Sequence, residues 1–437
     1  FPMAPLVGCL RVSSSRRDVN GSSALTRVRV RDRRTLGQRQ RQLRGVVVVV
    51  SAASKESSKL SSTLSSKGRL SSDHVESFTM VTGAHGFIGS HVAEILVKAG
   101  HNVLAIDNAS EYPSTSKVEK SIDLYASRRR AISERAIKRA SHAENAGQLV
   151  VKFVDVGNVD DLQKAMNDLP DDGVVDRVVH AAARAGVSDS VKDPVECMRV
   201  NVVGLASMLK AAQNMHVSRF VFLSSSSVYG DESGGGGTSI EDAVPTTEDF
   251  PKGQPLSPYA VSKLAGEQLV DVAQSLHPEC SYHIVRPFTV YGPRGRADMA
   301  PLRFIHAALN DETVQLYGGG RGYRDFTHVR DVVRVVVACL NQDDDDADFD
   351  PKAGARCYNA GSGAPTSVAD FAVAVGEACG TGLRTECVGD RVGDVVGTCA
   401  SIDRRERELG VTGSVSLLDG LKETAAWYQD EVLNEAM

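Results

Sequence analysis

With 437 residues, 42% of them hydrophobic, the chain is long enough to bury the core of one large domain with a smaller lobe. Its formal net charge of -5 and pI near 6.2 leave no excess of cations to displace phosphate counterions, which argues against nucleic-acid binding. Eight cysteines without a C-x-x-C pair or a nearby His cluster argue against a zinc site and a disulfide framework, and read as buried free thiols.

From Arg11 to Arg44 the sequence is rich in Arg, Ser, Val and Gln and holds two acids, Asp18 and Asp32; Ser-rich sequence continues to about Ser72. Arg- and Ser-rich, acid-poor leaders have the composition of organelle transit peptides. Residues 1–72 are therefore predicted to be a disordered leader addressed to an organelle, the chloroplast first, with a plain tail on a cytoplasmic protein as the alternative. The apolar patch 46–50, ahead of Ser51-Ala52-Ala53, marks a candidate processing site. It falls far short of the ~20 apolar residues that span a bilayer, and no other segment qualifies, so no membrane anchor is expected.

After Asp73 short apolar runs at 78–81, 102–106, 149–154, 177–180, 219–223 and 282–285 alternate with helical segments. This alternation predicts an α/β fold, a doubly wound parallel sheet of Rossmann type over 73–286. Continuous runs such as Phe220-Val221-Phe222-Leu223 fit strands covered on both faces. The polar stretch 117–145 reads as an outer helix, with Arg128-Arg129-Arg130 as a solvated face. The segment 229–259, with Gly234 to Gly237 and prolines at 245, 251, 255 and 258, reads as an irregular excursion. Past Pro287 the alternation breaks down, so 287–437 is predicted to be a smaller α/β substrate-binding lobe, part of whose surroundings can return to the first domain. A second, acidic loop, Asp343 to Asp346, separates a helix ending near Asn341 from a strand near Cys357.

Glycines at 83, 86 and 89 follow the first predicted strand and open a helix at Phe87 and Ile88. In that order the first permits a tight turn, the second lets backbone N–H groups approach a pyrophosphate, and the third allows close helix-to-strand packing. Asp107 and Asn108 end the second strand, where a carboxylate accepts from ribose hydroxyls and repels a 2'-phosphate, so NAD is favoured over NADP. Asp155 and Val156, after the third strand, are placed beside the adenine. Ala181, Ala182 and Ala183 end the fourth with small side chains that let a cofactor lie close.

Ser224 to Ser227 follow the fifth strand directly. Tyr259 and Lys263 are four residues apart, so one helix presents both on the same face. A nearby ammonium lowers the pKa of a phenol and makes it a base usable near neutral pH, while a serine hydroxyl polarises the same substrate oxygen.

With these motifs in this order, the chain over about 78–428 resembles the extended short-chain dehydrogenase/reductases. The resemblance implies Ser225, Tyr259 and Lys263 as the catalytic set, with Ser226 the rival for the serine role, and Asn201 in Asn-x-x-Gly as the helix asparagine of the site. His180-Ala-Ala-Ala-Arg-Ala-Gly-Val187, Ser224-Ser-Ser-Ser-Val-Tyr-Gly230, the string from Arg286 to Met299 and Arg324-Asp-Phe-Thr-His-Val-Arg-Asp331 are similar to the UDP-glucuronate 4-epimerases.

That family implies bound NAD used catalytically, a 4-keto sugar that turns over in the site, a UDP-sugar as partner, and often a homodimer. It also implies Arg324 and Arg391 on the diphosphate, Asp394 in the same pocket, and Thr289 and Arg296 near the sugar carboxylate; no metal is called for. Ser188 stands where the family usually has Arg, and Val392-Gly-Asp-Val where it has Pro-Gly-Asp-Val, which opens the choice of sugar. A 4,6-dehydratase would need an Asp-Glu pair where Ser226 and Ser227 stand. A UDP-glucuronate decarboxylase, another UDP-hexose epimerase, and an organelle RNA-binding or scaffold member of the superfamily are the alternatives. The last kind tends to lose the Tyr-Lys pair that this chain keeps.

Overall fold

A computed structural model of the chain describes residues 48–50, 76–109, 120–232, 239–342, 354–389 and 396–434. Among these, seven parallel strands form the main sheet, in the spatial order Leu149–Phe153, Asn102–Asp107, Ser77–Thr82, Val174–His180, Arg219–Leu223, Ser281–Pro287 and Arg356–Ala360. Val48–Val50 adds an antiparallel edge strand beyond Leu149–Phe153. Strand order reverses between Ser77–Thr82 and Val174–His180, which opens a crevice at their carboxyl ends, the place where such sheets bind ligands.

Helices cover both faces, which explains why the central strands carry unbroken apolar runs. On one face Val92 and Leu96 of helix Phe87–Lys98 and Val332 and Val336 of helix Val329–Asn341 pack on Val81, Val103, Val179 and Val221. On the other, Leu162, Leu205, Met208 and Val270 pack on Met80, Leu104, Phe220 and Phe222. Cations within two strands are absorbed by helix ends: Arg219 donates to the carbonyls of Cys339 and Leu340, and Lys152 to that of Ala165. Each places positive charge where a helix dipole is negative.

The later residues build a third core around Phe326 and Phe371, whose rings stack at 3.9 Å. Two-stranded sheets join Thr289–Tyr291 to Phe326–His328, Thr313–Tyr317 to Arg384–Val388, and Tyr323–Arg324 to Thr366–Ser367. Strand Arg356–Ala360, within the predicted lobe, is a member of the main sheet beside Ser281–Pro287. The described residues, from Val48 onward, belong to one compact unit.

The polar stretch 117–145 contains helix Lys120–Ala140. Its face is not simply solvated. Tyr125 is buried and donates to the Gly295 carbonyl at 2.5 Å, and the Arg130 guanidinium lies 4.8 Å over the Phe153 ring. An aromatic face at a strand end attracts a cation that composition alone assigns to water.

Of the predicted leader only Val48–Val50 and, beyond it, Glu76 onward are described; Gly234 to Gly237 and Asp343 to Asp346 also lie outside the described residues. No described helix is long and apolar enough to cross a membrane. The seven described cysteines are free, and Cys197, Cys280, Cys339 and Cys399 are buried.

Candidate active site

The first strand ends in a turn that only glycine fits. Gly83 has φ +65, and a Cβ there would stand 2.8 Å from the Ala182 nitrogen; at Gly89 it would stand 2.2 Å from the Gly83 carbonyl oxygen. Thus the turn lies on the end of the neighbouring strand, and the helix starting at Phe87 presses on the turn. Gly86 precedes that helix in extended conformation and no side chain caps it, so its first N–H groups face the crevice free for an anion. Phe87 is buried and Ile88 packs against the core, which fixes the helix start.

Asp107 accepts from the backbone N–H groups of His85 and Ala109, both at 3.0 Å, which ties the second strand's end to the glycine turn. Asp155 accepts from Gly157 N–H at 2.8 Å and pairs with Arg199 at 3.2 Å. Burial works to raise its pKa, but these partners and the Asn108 side chain hold it below the usual carboxylate range. Val156 is buried beneath, and Ala181, Ala182 and Ala183 are half-exposed at the crevice. Small residues, bare N–H groups and a ribose-side carboxylate form a cradle that fits NAD.

Ser225, Tyr259 and Lys263 meet at the end of strand Arg219–Leu223. Helix Pro258–Leu276 begins with Ser257 as its cap, its hydroxyl accepting from Ala260 N–H, so Tyr259 stands in the first turn, half-buried. Its phenol shares a hydrogen bond with the Ser225 side chain. Ser225 Oγ is 2.5 Å from Ser227 Oγ, whereas Ser226 opens a short helical turn behind it; the tyrosine contact favours Ser225 for the serine role. Lys263 is buried, donates to the Leu223 carbonyl at 2.6 Å, and lies 5.9 Å from the centre of the Tyr259 ring.

The sequence expectation that Lys263 depresses the tyrosine is not met in this arrangement. Burial pushes the Tyr259 phenol up, against the downward pull of the Ser225 hydrogen bond and the Arg296 charge. Burial pulls the Lys263 ammonium down to about 8, opposed by Cys197 and Glu267. The physical reason is the direction of the ammonium, which is spent on a backbone carbonyl.

Asn201 accepts from Arg184 N–H at 2.7 Å and donates to Ser262 Oγ at 2.9 Å. Ser262 in turn donates to the Tyr259 carbonyl at 2.7 Å. Asn201 sits in a π-helical stretch, Arg199–Val203, a local widening that often marks functional positions. It ties the turn after the fourth strand to the catalytic helix.

On the substrate side, Thr289 is half-buried in a strand beside Phe326–His328. The Arg296 guanidinium pairs with Asp298 at 2.6 Å and lies over Gly186, where a Cβ would meet it at 2.7 Å. Arg296 therefore stands at the turn that leads into exposed Ser188, within electrical reach of Tyr259. Arg324 is half-exposed and donates to the Tyr323 carbonyl at 2.8 Å. Arg391 and Asp394 lie outside the described residues. Among the described residues no group of three or more His, Cys, Asp or Glu is gathered to hold a metal.

Two features have no role assigned by the sequence. His180 bonds Thr82 Oγ1 at 3.0 Å, and Thr82 Oγ1 accepts from Ala182 N–H at 3.2 Å, locking the two strand ends that flank the crevice. Burial, and then Lys263, pull His180 down to about 3, so it is neutral. Glu267 and Arg286 pair beneath the catalytic serines at 2.8 Å. Glu267 was visible in the sequence as the next i+4 position after Lys263, on the same helix face.

The model of the NAD dependent epimerase/dehydratase family matches residues 79–361. UDP-glucuronate 4-epimerase 3 of Arabidopsis thaliana is 31% identical over 360 residues, 80% of this chain and 76% of that protein. The solved UDP-glucuronic acid 4-epimerase from Bacillus cereus, in complex with UDP-glucuronic acid and NAD, is 28% identical with a TM-score of 0.64, covering 81% of this chain and 99% of that one. MoeE5 in complex with UDP-glucose and NAD is 31% identical with a TM-score of 0.63, covering 82% and 99%.

Proposed function

This chain belongs to the NAD dependent epimerase/dehydratase family, and on that premise we propose that it is a UDP-sugar 4-epimerase interconverting UDP-glucuronate and UDP-galacturonate. The observation that carries the reading is the meeting of Tyr259, Ser225 and Arg296 at the mouth of the NAD crevice. A phenol and a hydroxyl share a hydrogen bond there, and the guanidinium of the nearby Arg296–Asp298 pair is of the kind that binds a uronate carboxylate.

NAD, when bound, supplies the acceptor and later the donor of hydride at C4. Tyr259, once its phenol has given up its own proton, removes that of the 4-hydroxyl, and Ser225 holds the same oxygen by a hydrogen bond. The 4-keto sugar turns over and Tyr259 returns the proton on the inverted oxygen, so the reaction has no net redox change. Lys263 and Asn201 hold the helix and strand ends that aim this pair. Arg324 is assigned to the diphosphate, and the family resemblance assigns Arg391 and Asp394, which lie outside the described residues, to the same ligand.

Purified protein without its first 72 residues, assayed against a panel of UDP-sugars without added reductant, is expected to interconvert the two UDP-uronates. Release of carbon dioxide would make it a decarboxylase instead. Ser188 supports a second reading, epimerisation of a neutral UDP-hexose, because a serine stands after the turn beside Arg296 where the family usually has Arg; reaction of UDP-glucose and not of UDP-glucuronate would establish it.

A homodimer is proposed through helices 187–203 and 258–276, supported by exposed Val191, Val195, Val203, Val261, Val272 and Leu276. Sedimentation at the monomer mass would reject it. Residues 1–72 are proposed to direct the protein to an organelle, the chloroplast first; diffuse cytoplasmic fluorescence of a fusion carrying them would reject that.

A further inference from the structure

Tyr259, Lys263 and Glu267 follow one another at four-residue spacing on helix Pro258–Leu276 and so share one face. Each holds one of three consecutive residues at the end of strand Arg219–Leu223. Lys263 takes the Leu223 carbonyl at 2.6 Å, Glu267 accepts from Ser224 Oγ at 2.6 Å, and Tyr259 bonds Ser225. Ser224 still has a backbone bond to the next strand, its N–H donating to the Val285 carbonyl at 2.8 Å. Ser225 is the residue at which the chain leaves the sheet, and a fixed Ser224 side chain decides the direction it takes.

Glu267 is built to be immovable. It is 0% exposed, and Arg286 grips both of its oxygens at 2.9 and 2.8 Å, with Lys252 at 2.9 Å. Arg286 also donates to Tyr229 Oη at 2.8 Å and to the Glu248 carbonyl at 2.9 Å. The carboxylate thus joins the catalytic helix, two strands of the sheet and the segment returning from the long loop. A hydroxyl donating to a charged acceptor makes a stronger, better directed bond than one donating to a neutral group. An ion pair serving the fold alone has no need of that hydroxyl.

We propose that Glu267 is a positioning residue: its buried carboxylate holds the Ser224 hydroxyl and thereby aims Ser225 at Tyr259. The kinetic consequence rests on the epimerase reading, while the geometry does not. Ser224→Ala removes the anchor and leaves every ion pair of Glu267 intact, whereas Glu267→Gln strands a buried Arg286 and can unfold the chain.

In the full chain, Ser224→Ala is expected to lower kcat by about ten- to a hundredfold with KM and bound NAD unchanged, as misalignment of reacting groups does. A second measurement needs no substrate. The NMR resonance of the Tyr259 ring carbon that bears the hydroxyl, assigned by its loss in Tyr259→Phe, should move in Ser224→Ala in the same direction as in Ser225→Ala. An unmoved resonance in Ser224→Ala, where Ser225→Ala moves it, overturns the proposal whatever happens to kcat. Wild-type kcat in Ser224→Ala overturns it as well. If the wild-type protein turns over no UDP-sugar, the epimerase reading falls and the Tyr259 resonance alone decides.

Discussion

The two sides of the crevice are built on different principles. On the cofactor side, backbone touches backbone, Gly83 against Ala182 and Gly89 against Gly83, and the backbone N–H groups of His85 and Ala109 rest on the Asp107 carboxylate. On the substrate side, side chains hold one another: Arg296 rests on Asp298, Arg324 on a carbonyl, Glu267 among Arg286, Lys252 and Ser224. Close backbone approach allows one residue type at a position, whereas a polar side chain can be replaced or re-paired. The first side should therefore fail by losing the cofactor and the second by losing rate or selectivity.

The catalytic edge between the two gives the largest expected effect. Tyr259→Phe should lower kcat by about 10²- to 10⁴-fold while NAD stays bound, as stopped-flow turnover and cofactor content will report. Loss of NAD in that variant would dissolve the distinction.

Next in size is Lys263, where function opposes stability. Its ammonium is held down to about 8 by burial, whereas the unfolded chain keeps the proton to about pH 10.4. Between these values the unfolded state binds more protons, so stability rises with pH across the window, and below pH 8 the whole penalty is present. Lys263→Met should lower turnover less than Tyr259→Phe does, yet gain on the order of 3 kcal/mol at neutral pH, less what is lost with the bond to the Leu223 carbonyl, and that gain fades as pH approaches 10.4. Thermal melts at several pH values check the sign; a constant difference would contradict it.

Gly89→Ala should cost about 2 kcal/mol and strip the protein of NAD, because the methyl meets a carbonyl oxygen that cannot retreat from the turn. Retained cofactor would mean that the contact yields. Smallest is Arg296→Ala, expected to raise KM for the UDP-uronates about tenfold and for UDP-glucose much less, the worth of one charge-assisted pair. Equal effects on both would take the carboxylate away from Arg296.

This contrast also explains what the sequence discloses. Glycines at 83, 86 and 89, the acid at 107 and the small residues at 181–183 are legible because close approach admits few alternatives. Tyr259 and Lys263 are legible by helical period. The direction of the Lys263 ammonium is not, since it depends on a carbonyl at Leu223 forty residues earlier in the chain. Arg130 on Phe153 and Tyr125 on Gly295 likewise join residues far apart in sequence, and composition assigned that helix to solvent. Strand Arg356–Ala360 rejoins the main sheet past a break in the alternating pattern, where periodicity carries no information on its neighbour.

The most direct test of the epimerase account follows the hydrogen at C4. UDP-glucuronate carrying deuterium at C4, incubated with the protein in ordinary water, should give UDP-galacturonate with the deuterium still at C4 and no carbon dioxide. Deuterium lost to water, or a decarboxylated product, would contradict it.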